Sequence, residues 1–232
     1  MNANVRNILA VDTSSRVLSV ALRSGESVFE TNLEGTPRHS EQLIGLIEDG
    51  LRRLKLKKSD LETLIWGLGP GSFTGLRIGL SVLKGFHLGL RKKSYGASSL
   101  DLIALSSGLV SGELAVCVDA RREHIYAAKY QFKKGAVKKV LKDSLLSFDQ
   151  LIQKTGKETM FTGDALAAYG DSIRKKLGKN VLFLSPSFWY PRASQSLFLN
   201  ESKREWLTPL SLRTMVPRYF RSSEAEERLK RK

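Results

Sequence analysis

Two short segments of similar construction, one near the start of the chain and one near its middle, constrain the fold more than any other feature. The first is an apolar run that ends on Asp12 and is followed by a polar turn and a second apolar run. The second segment repeats this order around Asp119. An apolar strand, a polar turn and another apolar strand are typical of a β-hairpin. Because both halves open on the same hairpin, the sequence predicts an internal duplication.

Helices and strands alternate after each hairpin. Apolar residues recur three or four apart in several segments, which predicts amphipathic helices, and short apolar runs between them predict buried strands. The predicted helices cover residues 37–54, 74–90, 148–154 and 165–177. The predicted strands outside the hairpins cover residues 27–31, 63–68, 160–162 and 181–184. This order indicates two α/β lobes with mixed sheets, the pattern of a duplicated actin-like (RNase H-like) fold.

Glycines near residue 110 mark the predicted boundary between the two lobes. We assign residues 1–108 to an N-terminal lobe, residues 109–221 to a C-terminal lobe and residues 222–232 to a charged tail without chemistry of its own. The 232 residues are enough for two lobes of ordinary size.

The composition is that of a globular protein. Hydrophobic residues make up 41% of the chain, and their runs are too short to span a membrane. The first residues lead directly into a strand pattern and not into an apolar leader, so we expect a cytoplasmic protein. The single cysteine, Cys117, is interpreted as a buried thiol. The three histidines are far apart in the sequence, so we expect no metal ion and no cofactor in this chain.

The chain is strongly basic, with 38 lysines and arginines, 23 acids and a net charge of +15. Between residues 121 and 142 there are eight basic residues and a single acid, Glu123. Such charge attracts polyanions, so weak, salt-sensitive contact with RNA is one interpretation of this run. A solvated surface without function is the other.

The first hairpin is a candidate site for a nucleotide or another anion. In actin-like ATPases this hairpin wraps the phosphates, and the hydroxyls of Thr13 and Ser14 beside Asp12 suit that task. The alternative is a hairpin turn in which these side chains satisfy local backbone groups. The second hairpin favours the alternative, because Ala120 and two arginines follow Asp119 where glycine or a hydroxyl would be expected.

A glycine-rich bend precedes the second predicted helix and is the other candidate for anion binding. Gly69 and Gly71 permit a sharp turn, and N–H groups near Ser72 and Thr74 at the helix start could bind an anion. The GxxxxGK[ST] spacing of a P-loop is absent. A tight bend that packs a helix on a strand is at least as good an interpretation.

Six short motifs are distributed over nearly the whole chain. They read Asp12-Thr13-Ser14, Arg38-His39-Ser40-Glu41, Gly69-Pro70-Gly71-Ser72-Phe73-Thr74-Gly75-Leu76-Arg77-Ile78-Gly79, Ser98-Ser99-Leu100, Val118-Asp119-Ala120-Arg121 and Pro217-x-Tyr219-x-Arg221. In this order they closely resemble the TsaB (YeaZ) family, a non-catalytic subunit of the bacterial machinery that forms N6-threonylcarbamoyladenosine (t6A) in tRNA. Residues 137–211 match that family only loosely, and the tail is not part of its pattern.

The resemblance implies an actin-like fold and a role beside a paralogue, the TsaD-type transferase. It implies a heterodimer with TsaD, a TsaE-type ATPase in the larger complex and a homodimer when the chain is alone. ATP and a divalent metal ion are then expected on the partner subunits. Contact with tRNA is expected through the complex, and no membrane is expected.

TsaD-type enzymes follow a similar bend and helix with an HxxxH pair that holds a metal ion. At the matching place this chain reads Ser98-Ser99-Leu100-Asp101-Leu102-Ile103, with Ser99 and Ile103 in the two histidine positions. Neither side chain offers an imidazole ligand. The resemblance therefore implies that catalysis lies on the partner.

The helices predicted at residues 37–54 and 74–90 are expected to form the interface with TsaD, as the resemblance implies. Apolar residues of the first helix spread wider than one core-facing stripe needs, which favours a second buried face. Simple packing of both helices on the sheet is the alternative. The residues expected at the interface are Arg38, His39, Glu41, Leu43, Leu46, Ile47, Phe73, Leu76, Arg77, Leu80 and Leu83.

Two other functions stay open on the sequence alone. One is an independent actin-like kinase or ATPase that uses Asp12 and Asp119. The other is a plain RNA-binding protein, which the aromatic residues between positions 126 and 132 do not favour, because they fall on one face of their strand and are predicted to be core.

Overall fold

The computed structural model describes residues 7–35 and 39–220, except for the side chains of residues 39–41, 201 and 202. In chain order, the strands are β1 (Ile8–Asp12), β2 (Val17–Ser24), β3 (Ser27–Glu34), β4 (Thr63–Gly67), β5 (Lys93–Ala97), β6 (Gly112–Asp119), β7 (His124–Lys133), β8 (Ala136–Ser147), β9 (Met160–Thr162) and β10 (Thr208–Leu210). The α-helices are α1 (His39–Arg53), α2 (Phe73–Leu90), α3 (Ser99–Ser106), α4 (Phe148–Lys154), α5 (Leu166–Leu177) and α6 (Ser194–Ser202).

The two sheets repeat one topology. The first has the order β10-β5-β4-β1-β2-β3, in which β1 runs antiparallel to β2 and parallel to β4. The second has the order β8-β7-β6-β9, in which β6 runs antiparallel to β7 and parallel to β9. A parallel bridge between Phe161 and Phe183 stands where the first sheet has β5. The predicted duplication and the actin-like α/β fold are therefore confirmed, although the strand predicted at residues 181–184 is reduced to that bridge.

Helices α1 and α2 cover one face of the first sheet. Their buried leucines and isoleucines share a core with apolar side chains of β1, β2 and β4, Trp66 among them. Ser72 begins α2 as its N-cap, since its hydroxyl accepts from the Gly75 N–H at 3.2 Å. The predicted helices at residues 37–54 and 74–90 are thus confirmed within two residues at each end.

Helix α3 lies between the two sheets. Its Leu102 packs in the core beneath the first sheet, whereas Leu100 and Ile103 pack with apolar side chains of β6 and β7. One helix therefore contributes to both hydrophobic cores, which ties the two sheets together.

The end of the described chain returns to the first sheet. Strand β10 pairs with β5, and the Ala193 N–H at the start of α6 donates to the Ser19 hydroxyl at 2.7 Å. Farther on, the Arg218 N–H donates to the carbonyl of Leu68 at 2.9 Å. The sequence placed this segment in a C-terminal lobe of residues 109–221, a division that stays a prediction. The 222–232 tail lies outside the described residues.

Candidate functional site

Asp12, at the end of β1, has a fully buried side chain. One carboxylate oxygen accepts from the Ser14 N–H at 2.8 Å and from the Ser14 hydroxyl at 2.7 Å. The other oxygen accepts from the Ser99 hydroxyl on α3 at 2.6 Å. Burial raises the pKa of Asp12, and these hydrogen bonds oppose the shift only in part. The carboxylate thus links β1 to α3 through partners within the chain.

The first hairpin and the glycine-rich bend pack directly against each other. Thr13 Oγ1 donates to the carbonyl of Gly75 at 2.8 Å, and the Ser72 N–H donates to the carbonyl of Ser14 at 2.6 Å. A Cβ atom on Gly71 would lie 2.1 Å from the Ser14 carbonyl oxygen, and one on Gly75 would lie 2.1 Å from that of Thr13. Glycine is therefore required at both places because two backbones meet there.

The remaining anion-binding candidates are used in the same contact or are exposed. Gly69 has φ +89°, and its carbonyl accepts from the Ser99 N–H at 2.9 Å. Ser72 caps α2, and Thr74 is exposed beside it. The structure brings the hairpin and the bend together and pairs several of their hydrogen-bonding groups within the chain. We interpret the contact as a packing motif, and anion binding by these residues stays a prediction.

The second hairpin carries Asp119 at a different kind of turn. Its N–H donates to Asp164 Oδ1 at 2.9 Å, and its carboxylate accepts from the Arg121 N–H at 2.8 Å. The turn contains three consecutive residues with φ between +50° and +62°: Arg121, Arg122 and Glu123. This is the left-handed region of the backbone, which residues other than glycine rarely adopt. Burial is the main cause that raises the pKa of Asp164. The Asp119 carboxylate is thus engaged by its own turn.

The two positions that correspond to the metal-binding histidines of TsaD-type enzymes are both buried on α3. Ser99 donates to Asp12, and Ile103 packs in the core shared with the second sheet. The described residues contain no group of three or more histidine, cysteine or carboxylate side chains that could hold a metal ion.

In the described part of the chain no helix is both long and apolar enough to cross a membrane.

A buried charge cluster between α3 and β8 was missed by sequence reasoning. Lys139 Nζ lies 2.6 Å from Asp101 Oδ1 and 2.5 Å from Asp143 Oδ1. The Tyr130 hydroxyl donates to Asp101 at 2.7 Å, and Arg218 Nη1 lies 3.7 Å from Asp143 Oδ2. Burial raises the pKa of Asp101, and the Lys139 charge opposes it. The one signal in the sequence was an acid at position 101 between apolar residues, Leu100 and Leu102.

The basic run between residues 121 and 142 does not form one surface. Lys129 pairs with Glu113 at 3.0 Å, and Lys139 is held in the buried cluster. Other lysines of the run, such as Lys133 and Lys138, are exposed on the hairpin formed by β7 and β8. Because side chains of a strand alternate between two faces, a charge run in a hairpin is divided between them.

Most apolar residues expected at the partner interface are buried in the chain's own core. The expectation that these side chains contact a partner was wrong, because they are already packed against the sheet and have almost no exposed surface. The buried residues are Leu43, Ile47, Leu76, Leu80 and Leu83. Leu46 and Phe73 are half-buried, and Arg77 is exposed. Arg38 and the side chains of His39 and Glu41 lie outside the described residues.

An apolar groove nevertheless runs between α1 and α2 on the outer side of the pair. It has a volume of about 370 Å³. Its lining residues are Ile44, Lys58, Val82, Gly85, Phe86, Gly89 and Leu90. Ile44 is 37% exposed, and Leu88 nearby on α2 is 60% exposed. At Gly45, Gly85 and Gly89 a Cβ atom would meet no other atom within 4 Å.

Comparison with known proteins identifies relatives of this architecture. Residues 34–229 match the family of TsaD, tRNA N6-adenosine threonylcarbamoyltransferase. The tRNA threonylcarbamoyladenosine biosynthesis protein TsaB of Bacillus subtilis is 27% identical over 94% of this chain and 96% of its own length. The protein of that name from Escherichia coli is 35% identical over 53% of this chain and 54% of its own length.

Solved structures show the same fold. A Pseudomonas aeruginosa protein described as similar to peptidase YeaZ superposes with a TM-score of 0.80 at 22% identity, covering 93% of this chain and all of its own. A structure of YeaZ from that organism gives a TM-score of 0.73 at 21% identity, with the same coverage. The chain therefore belongs to the family of TsaD-type threonylcarbamoyltransferases and, within it, to the TsaB (YeaZ) proteins.

Proposed function

We propose that this chain is an accessory subunit in t6A biosynthesis, which binds a TsaD-type transferase through the groove between α1 and α2. Transfer of threonylcarbamoyl to tRNA then takes place on that partner. The names of the relatives support the pathway, and the groove is the observation that carries the proposed mode of action.

The groove has the properties of a helix-binding surface. Its lining is apolar apart from Lys58, and exposed apolar area of this kind marks interaction sites. Glycine within a helix is about 1 kcal/mol less favourable than alanine. Two open glycines on α2, Gly85 and Gly89, therefore weaken the isolated helix. A partner helix that packs closely against their bare backbone offsets this cost.

The interior of the chain supports a role without catalysis. Asp12, the acid that would serve a nucleotide or a metal ion in an actin-like ATPase, is sealed beneath the hairpin and bonded to two serines. Ser99 and Ile103 occupy the histidine positions of the transferase and face buried partners. Neither side chain has the imidazole that a histidine supplies to a metal ion at these positions of the transferase.

The proposal is tested with the purified chain, a purified TsaD-type transferase and their mixture. We expect the two proteins to co-elute in size-exclusion chromatography, and we expect the isolated chain to transfer no threonylcarbamoyl to tRNA and to hydrolyse no ATP. Turnover by the isolated chain would contradict the accessory role. Failure of the two proteins to associate, with both folded, would contradict the proposed partner.

A further inference from the structure

A stacked group of two aromatic rings and one arginine lies at the start of α2. The rings of Phe73 and Tyr219 stack with centroids 4.7 Å apart and an angle of 24° between their planes. The guanidinium of Arg77 covers the Phe73 ring at 3.9 Å, and Arg77 Nε donates to the Tyr219 hydroxyl at 3.2 Å. We call these three residues the aromatic stack.

The stack leaves one ring available. The Phe73 ring is contacted by the Arg77 guanidinium and by the Tyr219 ring. Tyr219 is 45% exposed, and its contact with Phe73 covers one ring face, so the exposed area belongs to the other face and the ring edges. The segment that carries Tyr219 is anchored by the buried Met215 and by the bond from the Arg218 N–H to Leu68. The free ring is therefore held in a fixed place.

The two chain segments that supply the stack are basic. The sequence contains no aspartate or glutamate between residues 63 and 100 or between residues 206 and 223, which are the two segments that supply the stack. Arg77 and Arg213 are exposed there. A fixed aromatic face with arginines beside it and no acid in its own segments fits an unpaired nucleic-acid base, which stacks on the ring while its phosphates meet the arginines.

The stack is separate from the groove. The groove is lined by residues 82–90 of α2, whereas Phe73 is the first residue of that helix. At 1.5 Å per residue, Phe73 lies roughly 14 Å along the helix from Val82, the nearest groove residue of α2, and Arg77 lies roughly 8 Å from it. Substitutions at Tyr219 and at Gly85 therefore test the stack and the groove separately.

We propose that the aromatic stack binds an unpaired base of RNA, with Tyr219 as the stacking platform and Arg77 as its positioning residue. The assignment rests on the proposed function in one respect, since the RNA substrate of that pathway is a tRNA. It gives Arg77 an RNA contact instead of the transferase contact that the resemblance implied, and it makes Phe73 the support of the Tyr219 ring.

The test measures binding of the full chain to a fluorescently labelled single-stranded RNA and to a duplex RNA of the same length, by anisotropy at fixed salt. We expect the single strand to bind more tightly. Tyr219→Ala should weaken that binding about 5- to 150-fold, the range for loss of one stacked base. Tyr219→Phe, which keeps the ring, and Lys176→Ala, which removes an exposed charge from α5, should each change it by less than about threefold.

Several results would overturn the proposal. These are equal binding of single strand and duplex, no binding of either RNA, an unchanged affinity in a folded Tyr219→Ala protein, or an equal loss in Lys176→Ala. If Tyr219→Ala weakens association with the transferase and leaves RNA binding intact, the stack belongs to the protein interface. That outcome spares the proposed function, whereas failure to bind the transferase through the groove would leave RNA binding by the stack unaffected.

Discussion

Asp12 has a buried carboxylate that accepts hydrogen bonds from Ser14 and Ser99. Its carboxylate is buried without a cationic partner among the side chains that bond to it. A buried charge without a cation is unfavourable, and hydrogen bonds to three donors reduce this penalty without removing it. The pKa of Asp12 is accordingly raised, first by burial.

Replacement of Asp12 by asparagine should therefore stabilise the isolated chain at neutral pH. A folded-state pKa raised above the unfolded value means that the wild-type chain loses stability as pH rises from the ordinary carboxyl range through the raised pKa. Asparagine keeps an acceptor for Ser14 and can donate to the Ser99 hydroxyl, so it keeps the bonds without the charge. Thermal melts from about pH 4 to about pH 8 should show the variant's advantage growing with pH.

A gain of about 1 kcal/mol corresponds to about 2–4 °C for a chain of this size. A variant that melts below the wild type at neutral pH would contradict this prediction, because the Asp12 charge would then stabilise the fold.

The contact between the first hairpin and the glycine-rich bend is formed by residues of two of the family motifs, at positions 12–14 and 69–79. Its glycines are needed where backbones touch, and its serines and threonine supply the hydrogen bonds that close the contact. The sequence could show that the bend was sharp and that anion binding and packing were both compatible with it. It could not show the packing contact, because residues 13 and 14 are distant in sequence from residues 71 and 75, against which they lie.

Two glycine-to-alanine changes on the same segment should have opposite effects. In Gly71→Ala the new methyl would lie 2.1 Å from the Ser14 carbonyl oxygen, and such overpacking typically costs about 1–3 kcal/mol. In Gly85→Ala the methyl meets no atom within 4 Å, and alanine favours the helix by about 1 kcal/mol. Melting temperature should fall in the first variant and rise in the second. Equal melting temperatures would contradict the prediction that the close backbone contact at Gly71 stabilises the fold.

Helix prediction succeeded where the apolar spacing was long and regular, as in α2, and strand prediction succeeded for the two hairpins. It failed for β10, a strand of three residues that pairs with β5 far away in sequence. It also failed to separate core from surface on α1, because a helix with apolar residues on two sides does not reveal which side the sheet covers. Leu43 and Ile47 of α1, both expected at the interface, are buried in the core.

At the scale of the whole molecule, the two sheets are joined by a shared core and a buried charge cluster. Helix α3 packs on both sheets, and its Asp101 holds Lys139 of β8, which in turn holds Asp143. Arg218, from the segment that returns to the first sheet, reaches the same cluster. These contacts connect the two sheets through α3, β8 and the returning C-terminal segment.

The variant Gly85→Glu tests whether the groove between α1 and α2 binds the transferase. The new side chain starts in open space and replaces glycine in a helix, so the isolated variant should melt at or above the wild-type temperature. The added carboxylate would be buried by a partner in the groove, at a cost of several kcal/mol if unpaired. The affinity for the transferase, measured by calorimetry, should therefore fall by about 100-fold or more. Ser172→Glu, on the exposed side of α5, adds the same charge elsewhere and should bind as the wild type does. A folded Gly85→Glu protein that binds the transferase with wild-type affinity would contradict the account.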